Sequence, residues 1–110
     1  MNLEEKAFQL ILHGGDGRSY AMEAMVLARQ HAFEEAKRKI QSSKEAINQA
    51  HHIQTELITA EAGGKQSTLS LLMVHAQDHL MNAMTVRELA EEIIHLHEEL
   101  ARQAATYGSA

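Results

Sequence analysis

Along residues 71–100, apolar and polar positions fall into helical stripes. Leu72, His75, His79, Asn82, Val86, Leu89, Ile93, Leu96 and Leu100 follow alternating steps of three and four residues, which predicts one seam along a helix facing a partner helix. The lower part of that seam reads as ordinary core, while the upper part carries two histidines and an asparagine where a core would want leucine. A second stripe, Leu71, Val74, Asp78, Met81 and Thr85, runs beside it and gives way to Glu88 and Glu92. A helix packed on one neighbour needs only one stripe. The first half of this helix is therefore expected to face two surfaces, one within the chain and one offered to another chain.

Upstream, Ala7, Ile11, Gly14, Arg18, Met22, Met25 and Arg29 hold one helical line, with Leu10 and Ala21 beside it, straight across Gly14-Gly15-Asp16-Gly17. Glycine inside a helix costs about 1 kcal/mol relative to alanine, so the cluster would ordinarily mark a turn. A reversal there would not preserve the phase. One long helix over 3–29 is predicted, with Glu4 and Glu5 in its first turn and Gly14 allowing a neighbouring backbone to come close. Phe33, Ala36, Ile40, Ser43, Ile47, Ala50, Gln54 and Leu57 predict a second helix over 32–62, with Glu34–Arg38 and Glu35–Lys39 as pairs on its solvated face. Gly63 and Gly64 end it, Ser67 or Thr68 is the expected N-cap of the third, and the third helix is expected over 68–102. The whole then reads as all-α, an antiparallel up-down-up three-helix bundle forming a single domain over 1–103, with 104–110 as a frayed tail. Such a bundle is slender, and the double stripe leaves apolar surface uncovered, so self-association is expected.

Composition supports the helical reading: proline and cysteine are absent, only four residues are Phe or Tyr, and 45% of positions are hydrophobic. Without cysteine there is no disulfide or thiolate chemistry. A net charge of -5 with no dominant basic patch argues against nucleic acid as a partner. The N-terminus does not resemble a signal peptide, and no apolar run approaches the ~20 residues of a membrane span, so a cytoplasmic location without membrane insertion is expected.

Two features of the third helix carry candidate chemistry. If several copies pack around an axis through Leu71, Val74, Asp78 and Met81, symmetry gathers the Asp78 carboxylates, and crowded like charges must bind protons or a cation; a hard divalent ion such as Mg²⁺ suits oxygen ligands. His75 and His79, four residues apart with Asp78 between them, have a spacing that can chelate Zn²⁺ from one helix face. The imidazole of His75 can equally act as a nucleophile toward phosphorus, because a neutral imidazole nitrogen carries a lone pair that attacks phosphorus. Periodicity does not choose between these. For His51, His52, His95 and His97, surface or packing roles are the expectation.

The contiguous run His75-Ala76-Gln77-Asp78-His79-Leu80-Met81 resembles the signature of the lactose/cellobiose class of enzyme IIA proteins of the bacterial phosphoenolpyruvate-dependent sugar phosphotransferase system. Gly15-Asp16-Gly17-Arg18-Ser19 resembles that family's glycine-aspartate stretch, and Ala50-His51-His52-Ile53-Gln54-Thr55 its alanine-histidine segment. The resemblance covers nearly the whole chain. Arg29-Gln30-His31-Ala32-Phe33 departs from it by lacking the glycine or asparagine-aspartate turn residues often found in relatives.

The resemblance implies a three-helix protomer in a parallel homotrimer. It implies that His75 accepts a phosphoryl group from phospho-HPr on its tele nitrogen, Nε2, and passes it to a cysteine of the cognate enzyme IIB, in concert with a membrane enzyme IIC. It also implies that Asp78 from each of three protomers meets at the axis around a divalent cation such as Mg²⁺, in a structural role. Because no cationic side chain lies between Val74 and Val86, neutral donors are expected to support the phosphoryl, Gln77 and His79 or Asn82 among them. Two other classes compete: a metal-binding helical bundle using His75, Asp78 and His79 without phosphotransfer, and a structural helical oligomer without chemistry.

Overall fold

A computed structural model of the chain describes residues 1–66 and 69–108. Three helices follow one another: α1 (Leu3–Arg29), α2 (Phe33–Ala62) and α3 (Leu71–Gly108), with no strand among the described residues. They form a bundle measuring 67 × 20 × 20 Å. α1 and α3 run parallel and α2 antiparallel to both, so that Ala7 and Leu10 share one core layer with Ile53, Leu57, Ala76 and Leu80, while Ala28 shares another with Ala36 and Ile94. α1 supplies most of the packing, and α2 and α3 touch each other least.

α1 runs unbroken through its glycines, as the phase of its apolar positions predicts. Asn2 caps it, accepting from the Glu5 N–H at 2.8 Å. Gly14 and Gly17 sit where the neighbouring helices come close. A Cβ at Gly14 would stand 3.2 Å from the backbone of His79 and Leu80, and one at Gly17 would stand 2.6 Å from Ile47 Cγ1. Beside Gly17, the buried Ser43 hydroxyl donates to the Gly17 carbonyl at 2.7 Å, which satisfies the one buried polar side chain of the described core.

This close approach rotates the core relative to the sequence reading. The buried face of α1 is Ala7, Leu10, Gly14, Gly17, Ala21, Ala24 and Ala28, so Ile11 and Met25 lie at its flank and Met22 is exposed. On α3 the correction is larger. Ala76, Leu80, Ala83, Ala90 and Ile94 are buried, whereas Leu89, Leu96 and Leu100 of the expected seam are 56%, 56% and 51% exposed. At about 100° per residue these two sets lie on nearly opposite sides of the helix. Size misled the pattern: helices approaching through glycine and alanine bury mostly small side chains, and Leu89, Leu96 and Leu100 are left outside.

The connections also differ in detail. The α1–α2 turn closes without glycine because His31 adopts φ 64°, its N–H bonding the Ala28 carbonyl and that of Ala32 the Leu27 carbonyl. The His31 ring stacks on Phe33 with centroids 5.5 Å apart. At the end of α2, Gly64 takes the same role with φ 96°. α2 begins at Phe33 rather than 32. Ser67 and Thr68, expected as N-cap, lie outside the described residues; α3 starts at Leu71, with the Ser70 hydroxyl accepting from the Met73 N–H at 3.1 Å. Its far end continues to Gly108 instead of fraying from 104, since Gln103 to Tyr107 contains no helix breaker and Thr106 bonds back to the Arg102 carbonyl.

Charge braces the thin α2–α3 seam. In place of the expected Glu34–Arg38 and Glu35–Lys39 pairs, neither of which forms among the described residues, the lysines of α2 reach across: Lys37 to Glu98 at 3.0 Å, Lys44 to Glu91 at 3.3 Å, and Lys39 to Glu23 of α1 at 3.0 Å. The Arg87 guanidinium, bonded to Glu91 at 2.8 Å, together with Lys44 holds the Glu91 carboxyl below the usual carboxylate range, and the Glu98 carboxylate pushes the Lys37 ammonium up.

Two outcomes are expected. A methyl group added at Gly15 would have nothing within 4 Å, whereas one added at Gly17 would meet Ile47 at 2.6 Å, so the two positions should respond oppositely to alanine. Gly15→Ala should stabilise by roughly 0.5–1 kcal/mol through helix propensity, and Gly17→Ala should destabilise by about 1–3 kcal/mol through overpacking; thermal melts of both read the sign. Because the Glu91 carboxyl is depressed on folding, its contribution is complete above the ordinary carboxylate pKa and fades as pH falls through the lower folded value. Glu91→Gln should therefore lower the melting temperature at about pH 7, by roughly 0.5–1 kcal/mol of stability, with the gap closing in melts at about pH 3.

Candidate functional site

The face of α3 turned away from the core carries Val74, His75, Asp78, Met81 and Asn82, all exposed. α3 holds them there because Ala76, Leu80 and Ala83 commit the opposite side to α1 and α2. His75 and His79, one turn apart, bring their Nε2 atoms to 3.1 Å. Their rings stand at 89° with centroids 4.5 Å apart. One hydrogen fits between two such nitrogens, so one ring donates and the other presents a lone pair. The half-buried His79 is thereby a tautomer-selecting neighbour for the exposed His75.

The pair opens into a cleft of about 480 Å³ lined by Arg18, His75, Asp78, His79, Asn82 and Val86. The expectation of neutral donors rests on α3, which offers no cation between Val74 and Val86; α1 brings one, Arg18, to the cleft. Arg18 arrives because Gly14 lies against the His79–Leu80 backbone, which places the next turn of α1 beside the next turn of α3. Its signal was present in the sequence as a cation in the middle of the helical line Ala7, Ile11, Gly14, Arg18, Met22, Met25 and Arg29.

Gln77 goes elsewhere. Two residues on from His75 it points toward α2, where its Oε1 accepts from Gln54 Nε2 at 2.7 Å and its amide nitrogen contacts Met73 Sδ at 3.8 Å. It does not line the cleft of His75. Asp78 lines the cleft at the edge of an apolar surface in which Leu71 is 85% exposed, with Val74 and Met81 about half exposed. Asp78 is the one carboxylate lining that cleft, and no group of three His, Asp or Glu side chains among the described residues stands close enough to hold a metal. The reading of His75, Asp78 and His79 as a self-contained metal site is therefore not favoured. No helix among the described residues is long and apolar enough to cross a membrane.

Residues 5–98 match the family described as the lactose/cellobiose-specific IIA subunit of the PTS system. The chain is 56% identical over 101 residues to the lichenan-specific phosphotransferase enzyme IIA component of Bacillus subtilis, covering 92% of each chain. The fold superposes on the cellobiose-specific enzyme IIA of Bacillus anthracis with a TM-score of 0.89 and 51% identity, over 93% of this chain and 94% of that one. It is also similar to the IIA(Chitobiose)–HPr complex of Escherichia coli, with a TM-score of 0.80 and 44% identity over 92% of this chain and 98% of the matched chain. The chain thus belongs to the lactose/cellobiose-specific IIA family, and it is a phosphotransfer component of the sugar phosphotransferase system.

Proposed function

We propose that this protein is a phosphocarrier that takes a phosphoryl group from phospho-HPr onto His75 Nε2 and gives it to a cysteine of a cognate enzyme IIB, serving coupled uptake and phosphorylation of a β-linked disaccharide of the lactose, cellobiose or chitobiose kind. It acts in the cytoplasm beside a membrane enzyme IIC. The observation that carries this reading is the contact of 3.1 Å between the Nε2 atoms of His75 and His79 at the mouth of an open cleft. With the shared hydrogen on His79, His75 keeps its own proton on Nδ1 and its Nε2 lone pair accepts from His79; when that contact opens, the lone pair is free to attack phosphorus. Once Nε2 is phosphorylated, the His79 N–H has lost its acceptor and is in position to donate to a phosphoryl oxygen. The similar fold of the E. coli IIA(Chitobiose) chain in complex with HPr supports HPr as donor.

The working unit in this reading is a parallel homotrimer assembled on the outward face of α3. Exposed Leu71, Val74, Met81, Leu89, Leu96 and Leu100 on that side form an apolar strip along the bundle. Asp78 lies within the strip, and drawing its carboxylate out of water requires a countercharge. Three Asp78 carboxylates around one divalent cation such as Mg²⁺ would meet that need, which gives the cation a structural rather than a chemical part.

Incubation with phosphoenolpyruvate, enzyme I and HPr should add one phosphoryl mass to the natural chain and none to His75→Gln; an unmodified natural chain beside phosphorylated HPr would sink the reading. Asp78→Leu should sediment as a trimer at least as stable as the natural one, since apolar burial replaces clustered charge, and its dissociation to monomer would argue for an essential axial ion.

A further inference from the structure

We infer that Arg18, on α1, binds the phosphoryl group carried by His75 and is the cation that stabilises it during transfer; this rests on the phosphocarrier reading above. Three observations support it. Arg18 shares the cleft with His75, His79 and Asn82. It is exposed, and among the described residues its guanidinium forms no hydrogen bond or ion pair, not even with Asp78 in the same cleft. Finally, its position is fixed by the backbone rather than by its own side chain, because the contact of Gly14 with His79 and Leu80 locks the register of α1 against α3.

The chemistry requires such a group. In transfer, the bond from phosphorus to the donor breaks, its electron pair leaves with the donor, and the His75 Nε2 lone pair forms the new N–P bond. Negative charge stays on the three equatorial oxygens throughout. His79 and Asn82 supply neutral donors for at most part of that charge, and Asp78 adds a negative charge to the same cleft. A guanidinium offers two parallel N–H groups that match two phosphoryl oxygens. A single exposed cation also leaves the group easy to release, since the same contact serves the reverse displacement toward the next acceptor.

The test follows phosphorylation by phospho-HPr in time by intact mass, and titrates the ³¹P resonance of the phosphohistidine against pH, for the natural chain, Arg18→Gln and Arg18→Lys. A cation beside the phosphoryl favours its dianion, so Arg18→Gln should raise the titration midpoint and slow transfer roughly 10- to 100-fold, with Arg18→Lys in between. A role confined to folding would move the melting temperature and leave the midpoint in place. An unchanged midpoint and rate in Arg18→Gln, with the natural chain phosphorylated, overturns the role of Arg18 and leaves the phosphocarrier reading standing. No phosphorylation of the natural chain beside phosphorylated HPr overturns both. If Arg18→Gln does not fold, Arg18→Met, which keeps the apolar stem, decides by the same midpoint.

Discussion

The bundle depends on how closely α1 can approach its two neighbours. Gly14 meets the backbone of α3 at His79–Leu80, and Gly17 admits the Ile47 side chain of α2 while its carbonyl accepts from buried Ser43. Three glycines in one helix cost about 1 kcal/mol each in propensity. At positions 14 and 17 that cost is offset by contact that a Cβ would prevent, whereas Gly15 has no such neighbour. From these two contacts follow the alanine-lined core, the slender shape and the central place of α1.

The same constraint builds the site. With mostly small residues turned inward, Leu71, Leu89, Leu96 and Leu100 of α3 are left on its outer side together with His75, Asp78 and Asn82. On that outer side His75 is accessible and Asp78 lies against apolar surface, and one helix offers both because its core stripe is narrow. Locking the register of α1 against α3 then brings Arg18 to the cleft, so the contact that holds the fold also positions a charge. Gln77, on the α2 side, is used instead to join α2 to α3 through Gln54.

Where α2 and α3 pack least, Lys37–Glu98 and Lys44–Glu91 span the gap, with Arg87 bonded to Glu91 from within α3. Exposed pairs of this kind contribute little singly. Their place along a thinly packed seam makes alignment of the two helices, more than overall stability, their natural effect.

By itself the sequence determined three helices, the survival of α1 across its glycines, the glycine close approach at position 14, and the family through the run from His75 to Met81. These are local: each follows from propensity, phase or a contiguous motif. Its stripes could not determine which side of α3 is core, because Leu89, Leu96 and Leu100 are as periodic as Ala76, Leu80, Ala83, Ala90 and Ile94, and burial was decided by the closeness of α1 rather than by side-chain size. The capping of α3 by Ser70, the use of His31 in place of a turn glycine, and the helical run of α3 to Gly108 likewise depended on hydrogen bonds formed in the folded chain. Only tertiary structure could join Arg18 to His75, since residues 57 positions apart meet through the packing of two helices and no local rule relates them.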